Sequence, residues 1–101
     1  MNKIIFFCFI AFISLSLFAE DNLEPKKGFI PNEQTAIKIA VAVWVPIYGE
    51  KLIESEKPFK ATLKNGIWTV TGSLPEGYLG GKVIAEISKE TGCIIKVIHE
   101  Q

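Results

Sequence analysis

The chain has 101 residues, sets 11 lysines against 11 carboxylates, and contains no arginine. That balance excludes a strongly basic nucleic-acid footprint, and without a guanidinium there is no bidentate recognition of phosphate. With one aspartate (Asp21) and one histidine (His99), few side chains remain for acid–base or metal chemistry, so composition points away from an enzyme.

Lys3 precedes an apolar run from Ile4 to Phe18, broken only by Ser14 and Ser16, and Ala19 and the acids Glu20 and Asp21 follow. Charge, apolar stretch, small residue and acids in that order read as a secretory signal peptide, residues 1–19, with cleavage expected after Ala19. The run is about 15 residues, short of the roughly 20 that a spanning helix needs. No stable membrane span is therefore expected after cleavage; an uncleaved anchor is the alternative. Export to a bacterial periplasm is the expected localisation. Taking 19 residues from 101 leaves 82, enough for one small domain. Such a domain buries only about 60–65% of its unfolded surface, so its core must be simple. Cys8 leaves with the leader, so Cys93 is the only thiol left and no internal disulfide can form. Burial as a small hydrophobe is expected for it, with pairing between molecules as the alternative.

Residues 20–30, acidic and lysine-containing around Pro25, read as a flexible tether, and 31–101 as the folded domain. Asn32 is a good helix N-cap, with Glu33 favoured in the first turn. From there Ile37, Ala40, Val41, Trp44, Val45 and Tyr48 fall on one helical face, although Val41 to Val45 would also pass as a strand. Pro46 is expected to kink or end the helix and Gly49 to stop it. Glu50, Lys51, Glu54, Glu56 and Lys57 then read as a solvated surface connection.

Asn65-Gly66 between two alternating runs marks a two-residue hairpin turn. It sets Leu63 opposite Trp68 and Ala61 opposite Val70, with the large apolar residues except Ile67 on one face. A second hairpin is predicted from Lys82–Ser88 and Cys93–His99. A left-handed bulge at Gly92 would pair Lys89 with Cys93 and bring Glu86 opposite Lys96. Val83, Ala85, Ile87, Cys93, Ile95, Val97 and His99 then share the inner face. The predicted fold class is α+β, one N-terminal helix on a four-stranded antiparallel sheet.

On the outer face of the second hairpin, Ile84 would meet Ile98 directly and Ile94 diagonally, beside Glu86 and Lys96. A one-sided sheet normally carries polar residues there, so these five residues are the candidate partner-binding patch. Cover by Phe29-Ile30, or by a second copy in a homodimer, is the alternative. Tyr78, in the loop between the hairpins, is a candidate interface anchor. Gly80-Gly81 in that loop read as a bend rather than a phosphate cradle, because a strand and not a helix follows. Trp44, Trp68, Gly72, Gly80, Gly81, Gly92 and Cys93 are read as structural. No metal site, cofactor or catalytic group is expected. Cys93 and His99 stand about 20 Å apart along one strand, so they cannot form a nucleophile pair.

The ordered set Thr35-Ala36, Ile39-Ala40, Tyr48-Gly49-Glu50, Glu56-Lys57-Pro58-Phe59, Trp68, Val70, Gly72, Leu74-Pro75, Gly80-Gly81, Glu86-Ile87, Gly92-Cys93 and His99 resembles small bacterial immunity proteins of the nuclear-transport-factor-2-like fold. The resemblance covers residues 28–101. It implies an antidote, encoded beside a polymorphic toxin, that binds and neutralises that cognate toxin without catalysis. Fuller members of the fold have a longer chain and a larger sheet, so the resemblance implies a reduced cystatin-like or nuclear-transport-factor-2-like domain. The alternative function is a small periplasmic inhibitor or peptidase-associated binding module.

Overall fold

The computed structural model describes residues 25–77 and 80–100. The leader, its cleavage point, the first half of the tether and Tyr78 lie outside the described residues. Two helices, α1 (Glu33–Tyr48) and α2 (Glu50–Ser55), precede four strands, β1 (Lys60–Lys64), β2 (Ile67–Thr71), β3 (Val83–Ser88) and β4 (Ile94–His99). The strands form one antiparallel sheet in the order β1-β2-β3-β4, with α1 packed across one face. This is the α+β architecture expected from the sequence.

Asn32 caps α1: its side-chain oxygen accepts from the Thr35 N–H at 2.8 Å, which satisfies one of the orphan donors of the first turn. Ala36, Ala40 and Trp44 form the fully buried stripe of the helix, flanked by Ile37, Val41 and Val45. Pro46 does not end the helix. It sits in the last turn, and the position four residues earlier, Ala42, is exposed, so the carbonyl that loses its donor faces water. Gly49, at φ 94°, makes the stop by donating its N–H to the Val45 carbonyl at 2.8 Å.

The first hairpin has the predicted register, with Leu63 opposite Trp68 and Ala61 opposite Val70. Asn65 (φ 52°) and Gly66 (φ 76°) both occupy the left-handed region that a two-residue turn requires. Trp68, Val70, Val83, Ala85 and Ile87 meet Trp44 and Ala40 to build the core.

The second hairpin differs from the prediction in one respect. Glu86 does face Lys96 and Ile84 faces Ile98, but Ile87 pairs with Ile94, so the extra residue sits at Ile95. The turn is a four-residue loop closed between Ser88 and Cys93, whose carbonyl accepts from the Ser88 N–H at 2.9 Å. A bulge absorbs one residue wherever it falls, and both placements restore the same pairing beyond it. The shift brings Cys93 opposite Ser88 rather than Lys89, and the thiol is exposed, not buried. Ile94 and Ile95 are likewise exposed, so neither joins the core, and Ile95 does not take the inner-face position expected of it.

The last residues of the segment read as a tether are hydrogen-bonded to this turn. Phe29 N–H donates to the Glu90 carbonyl at 3.2 Å and Ile30 N–H to the Lys89 carbonyl at 3.0 Å. Ile30 is buried, and its own carbonyl accepts from the Trp68 indole at 2.8 Å. Phe29-Ile30 therefore closes one end of the core and does not cover the outer isoleucines.

Candidate functional site

Two features could carry chemistry or recognition: the outer face of the sheet, and a cleft at the end of the sheet opposite the β3–β4 turn. Strand β3 alternates strictly, with Val83, Ala85 and Ile87 buried and Ile84, Glu86 and Ser88 half-buried. Ile84 and its partner Ile98 thus form an apolar pair on the outer face, next to the opposed charges of Glu86 and Lys96. On the neighbouring strands this face carries Thr62, Thr69 and Thr71 together with Lys60, Lys64 and Ile67. The bulge removes Ile94 from the patch, because it pairs with the inward-facing Ile87. The candidate patch is therefore Ile84, Glu86, Lys96 and Ile98.

The cleft is built around Glu56, a residue that the sequence placed in a solvated charged run. Helix α2 buries Ile53, and Glu56 lies three positions on, over the same helical face, with only 3% of its surface exposed. Its Oε1 accepts from the Val83 N–H at 2.8 Å, and its Oε2 lies 3.2 Å from His99 Nε2. The Glu56 backbone carbonyl also accepts from Ser73 N–H at 2.7 Å. One residue thus holds both the exit of β2 and the start of β3. At this end of the ladder Gly72 N–H donates to the Val83 carbonyl at 3.0 Å, and the carboxylate takes the Val83 donor in return.

Gly72 is required by this arrangement. A Cβ there would stand 2.6 Å from Glu56 Oε1 and 3.1 Å from Val83 Cγ2. Gly72→Ala is therefore expected to destabilise the fold by about 1–3 kcal/mol, as overpacking typically does. A urea titration that leaves the midpoint unchanged would show that the carboxylate moves aside freely. Gly81 is similarly confined, since a Cβ would run into the Glu100 carbonyl, whereas nothing stands near Gly80. Gly92, at φ 77°, is the left-handed residue of the β3–β4 loop.

His99 therefore has a carboxylate partner, contrary to its isolated position in the sequence. Tyr48 packs near it, ring centroids 5.6 Å apart. Leu52, Ser55, Leu74 and Pro75, with Gly80 and Gly81, line the remainder of the cleft, whose volume is about 200 Å³. The Ser55 hydroxyl is committed to the Leu52 carbonyl at 2.6 Å. The carboxylate is tied to a backbone amide and the nearby hydroxyl to a carbonyl, so the arrangement braces the fold rather than activating a nucleophile. Among the described residues no group of three metal-binding side chains comes together.

The comparisons agree with the architecture. Residues 35–101 match the family described as "NTF2 fold immunity protein", and the chain belongs to that family. The chain is 36% identical over 76 residues to "Uncharacterized protein YbbC" of Escherichia coli (strain K12), a match covering 74% of this chain and 62% of that relative. The chain thus spans about three-fifths of the relative's length. No solved structure matches the chain significantly. No described helix is long and apolar enough to cross a membrane.

Proposed function

We propose that this chain is a periplasmic immunity protein that neutralises a cognate toxin by stoichiometric binding over the outer face of its sheet. The supporting observation is the Ile84–Ile98 pair, adjacent apolar side chains bordered by Thr71 in their own row and by Thr69, Glu86 and Lys96 in the next. Clustered apolar area on a small domain marks a contact surface. Glu86 and Lys96 beside it supply a polar rim that fixes orientation. The signal-like order of residues 1–19 supports export, and an exported antidote would protect against a toxin that acts on the envelope, for example on peptidoglycan or the membrane. Membership of the immunity family supports the binding role.

The double change Ile84→Lys with Ile98→Lys tests this. It is expected to abolish protection in cells that express the neighbouring toxin gene, while circular dichroism stays that of the folded domain. Retained protection with normal dichroism would remove this face as the binding site. Co-purification of the unaltered chain with the product of the neighbouring gene is the companion result expected.

A further inference from the structure

The free edge of β4 is complementary to its own reverse. Among the described residues β4 has β3 on one side only. The bulge at Ile95 breaks its first half, so the regular stretch available to a new strand begins at Lys96 and runs to Glu100. The ladder fixes which backbone groups are free. Glu100 N–H donates to the Lys82 carbonyl at 3.0 Å, which makes Lys82 and Glu100 a hydrogen-bonded pair. By the alternation of an antiparallel ladder, Ile84/Ile98 and Glu86/Lys96 are also hydrogen-bonded pairs. The N–H and C=O groups of Val97 and His99 therefore point away from β3, towards the open edge.

A second copy laid antiparallel, with its two-fold axis at Ile98, satisfies all of these groups. Val97 then meets the partner's His99, and both are residues whose backbone groups point outward. Lys96 meets the partner's Glu100, and Ile98 meets the partner's Ile98. Read across the joined sheets, one row on the outer face runs Lys82, Glu100, the partner's Lys96, the partner's Glu86, with the charges alternating throughout. The next row is Ile84, Ile98 and the same two residues of the partner subunit, so the apolar pairs flank each other. Moving the axis to Val97 would set Ile98 against the partner's Lys96, and moving it to Lys96 would oppose two lysines. Only the Ile98 axis gives complementary charge and continuous apolar contact together.

From this we infer that the chain forms a two-fold homodimer by antiparallel pairing of its β4 edges about Ile98, which joins two four-stranded sheets into one of eight strands. The inference shares Lys96 and Ile98 with the proposed toxin-binding patch, but its mass and cross-linking readouts use the chain alone, so it can fail or hold whatever the toxin experiment returns.

The test uses protein recovered from cells expressing the full chain, with mass followed by analytical ultracentrifugation over a concentration series. A monomer–dimer equilibrium is expected. Glu100→Lys places three lysines in a row, and Lys96→Glu sets three carboxylates in the same row, so each variant alone should weaken dimerisation by about tenfold or more. Mixing the two variants restores opposite charges at both contacts, and a mixed dimer should form. This rescue also establishes that both variants are folded. The register is read separately with Ile98→Cys in a Cys93→Ser background. Directly opposed residues outside the hydrogen-bonded pairs have Cα atoms about 4.5 Å apart, within disulfide reach, so this variant should oxidise to a covalent dimer. A chain that stays monomeric throughout overturns the inference. So does a dimer that ignores both charge changes, or one that Cys93 cross-links while Ile98→Cys does not.

Discussion

Replacing Trp68 with alanine is expected to lower the unfolding free energy by about 3–5 kcal/mol, the range for truncating a buried aromatic. The indole is only 6% exposed and lies in the core with Trp44, Val70 and Ile87. Its loss leaves a cavity between sheet and helix. It also leaves the buried Ile30 carbonyl without the donor that the indole supplies at 2.8 Å. Because small domains have only about 5–15 kcal/mol in total, the change removes a large part of the margin. Trp68→Phe separates the two contributions: it keeps most of the volume and loses the hydrogen bond, for which about 1–2 kcal/mol is expected. Urea unfolding should show the midpoint falling with the slope unchanged. A loss below about 1 kcal/mol for the alanine variant would mean that the hairpin presents its other face to the core.

Glu56→Ala should have the second largest effect, a loss of about 2–3 kcal/mol, because it strands a buried backbone donor that had a charged acceptor. The Val83 N–H loses its partner at 2.8 Å and the His99 ring loses its own at 3.2 Å. Glu56→Gln should be milder, since its amide oxygen can still accept from Val83. Hydrogen exchange distinguishes this local role from general destabilisation. The Val83 amide should exchange faster in the alanine variant than its neighbours Ala85 and Ile87, and should remain protected in the glutamine variant. Equal acceleration along the whole strand would show that Glu56 contributes only to overall stability.

The parts of the fold that were legible in the sequence are those fixed by local chemistry. Asn65-Gly66 determines a turn, the turn determines a register, and the register decides which of Trp68 and Ile67 is buried. Asn32 and the apolar spacing from Ile37 to Tyr48 define the first helix in the same way. The bulge in the second hairpin was only half legible. The Glu86–Lys96 pairing requires one extra residue on β4, but that residue can sit at Gly92 or at Ile95 without altering it. The consequence of the actual position is an exposed thiol at Cys93.

Glu56 was illegible for a different reason. It stands among Glu50, Lys51, Glu54 and Lys57, and Glu54 and Lys57 do form the exposed ion pair that such a run suggests, at 2.7 Å. What distinguishes Glu56 is its helical spacing from Ile53 and a partner 43 residues away, a relationship that only the folded chain creates. The family resemblance, carried by the order of its residues, was legible and is matched over 35–101. The outer-face patch was legible as Ile84 and Ile98, while Ile94 left it with the bulge.

The clasp between Phe29-Ile30 and the Lys89–Glu90 turn also decides which way the domain is displayed. Gly28 approaches that turn so closely that a Cβ would stand 2.6 Å from the Lys89 carbonyl, and the Lys27 carbonyl accepts from Lys89 Nζ at 2.6 Å, so residues 25–28 lie beside the turn. A bead or a fluorophore fastened at Pro25 would therefore hold the domain by that pole and leave the Glu56–His99 pole facing the surroundings.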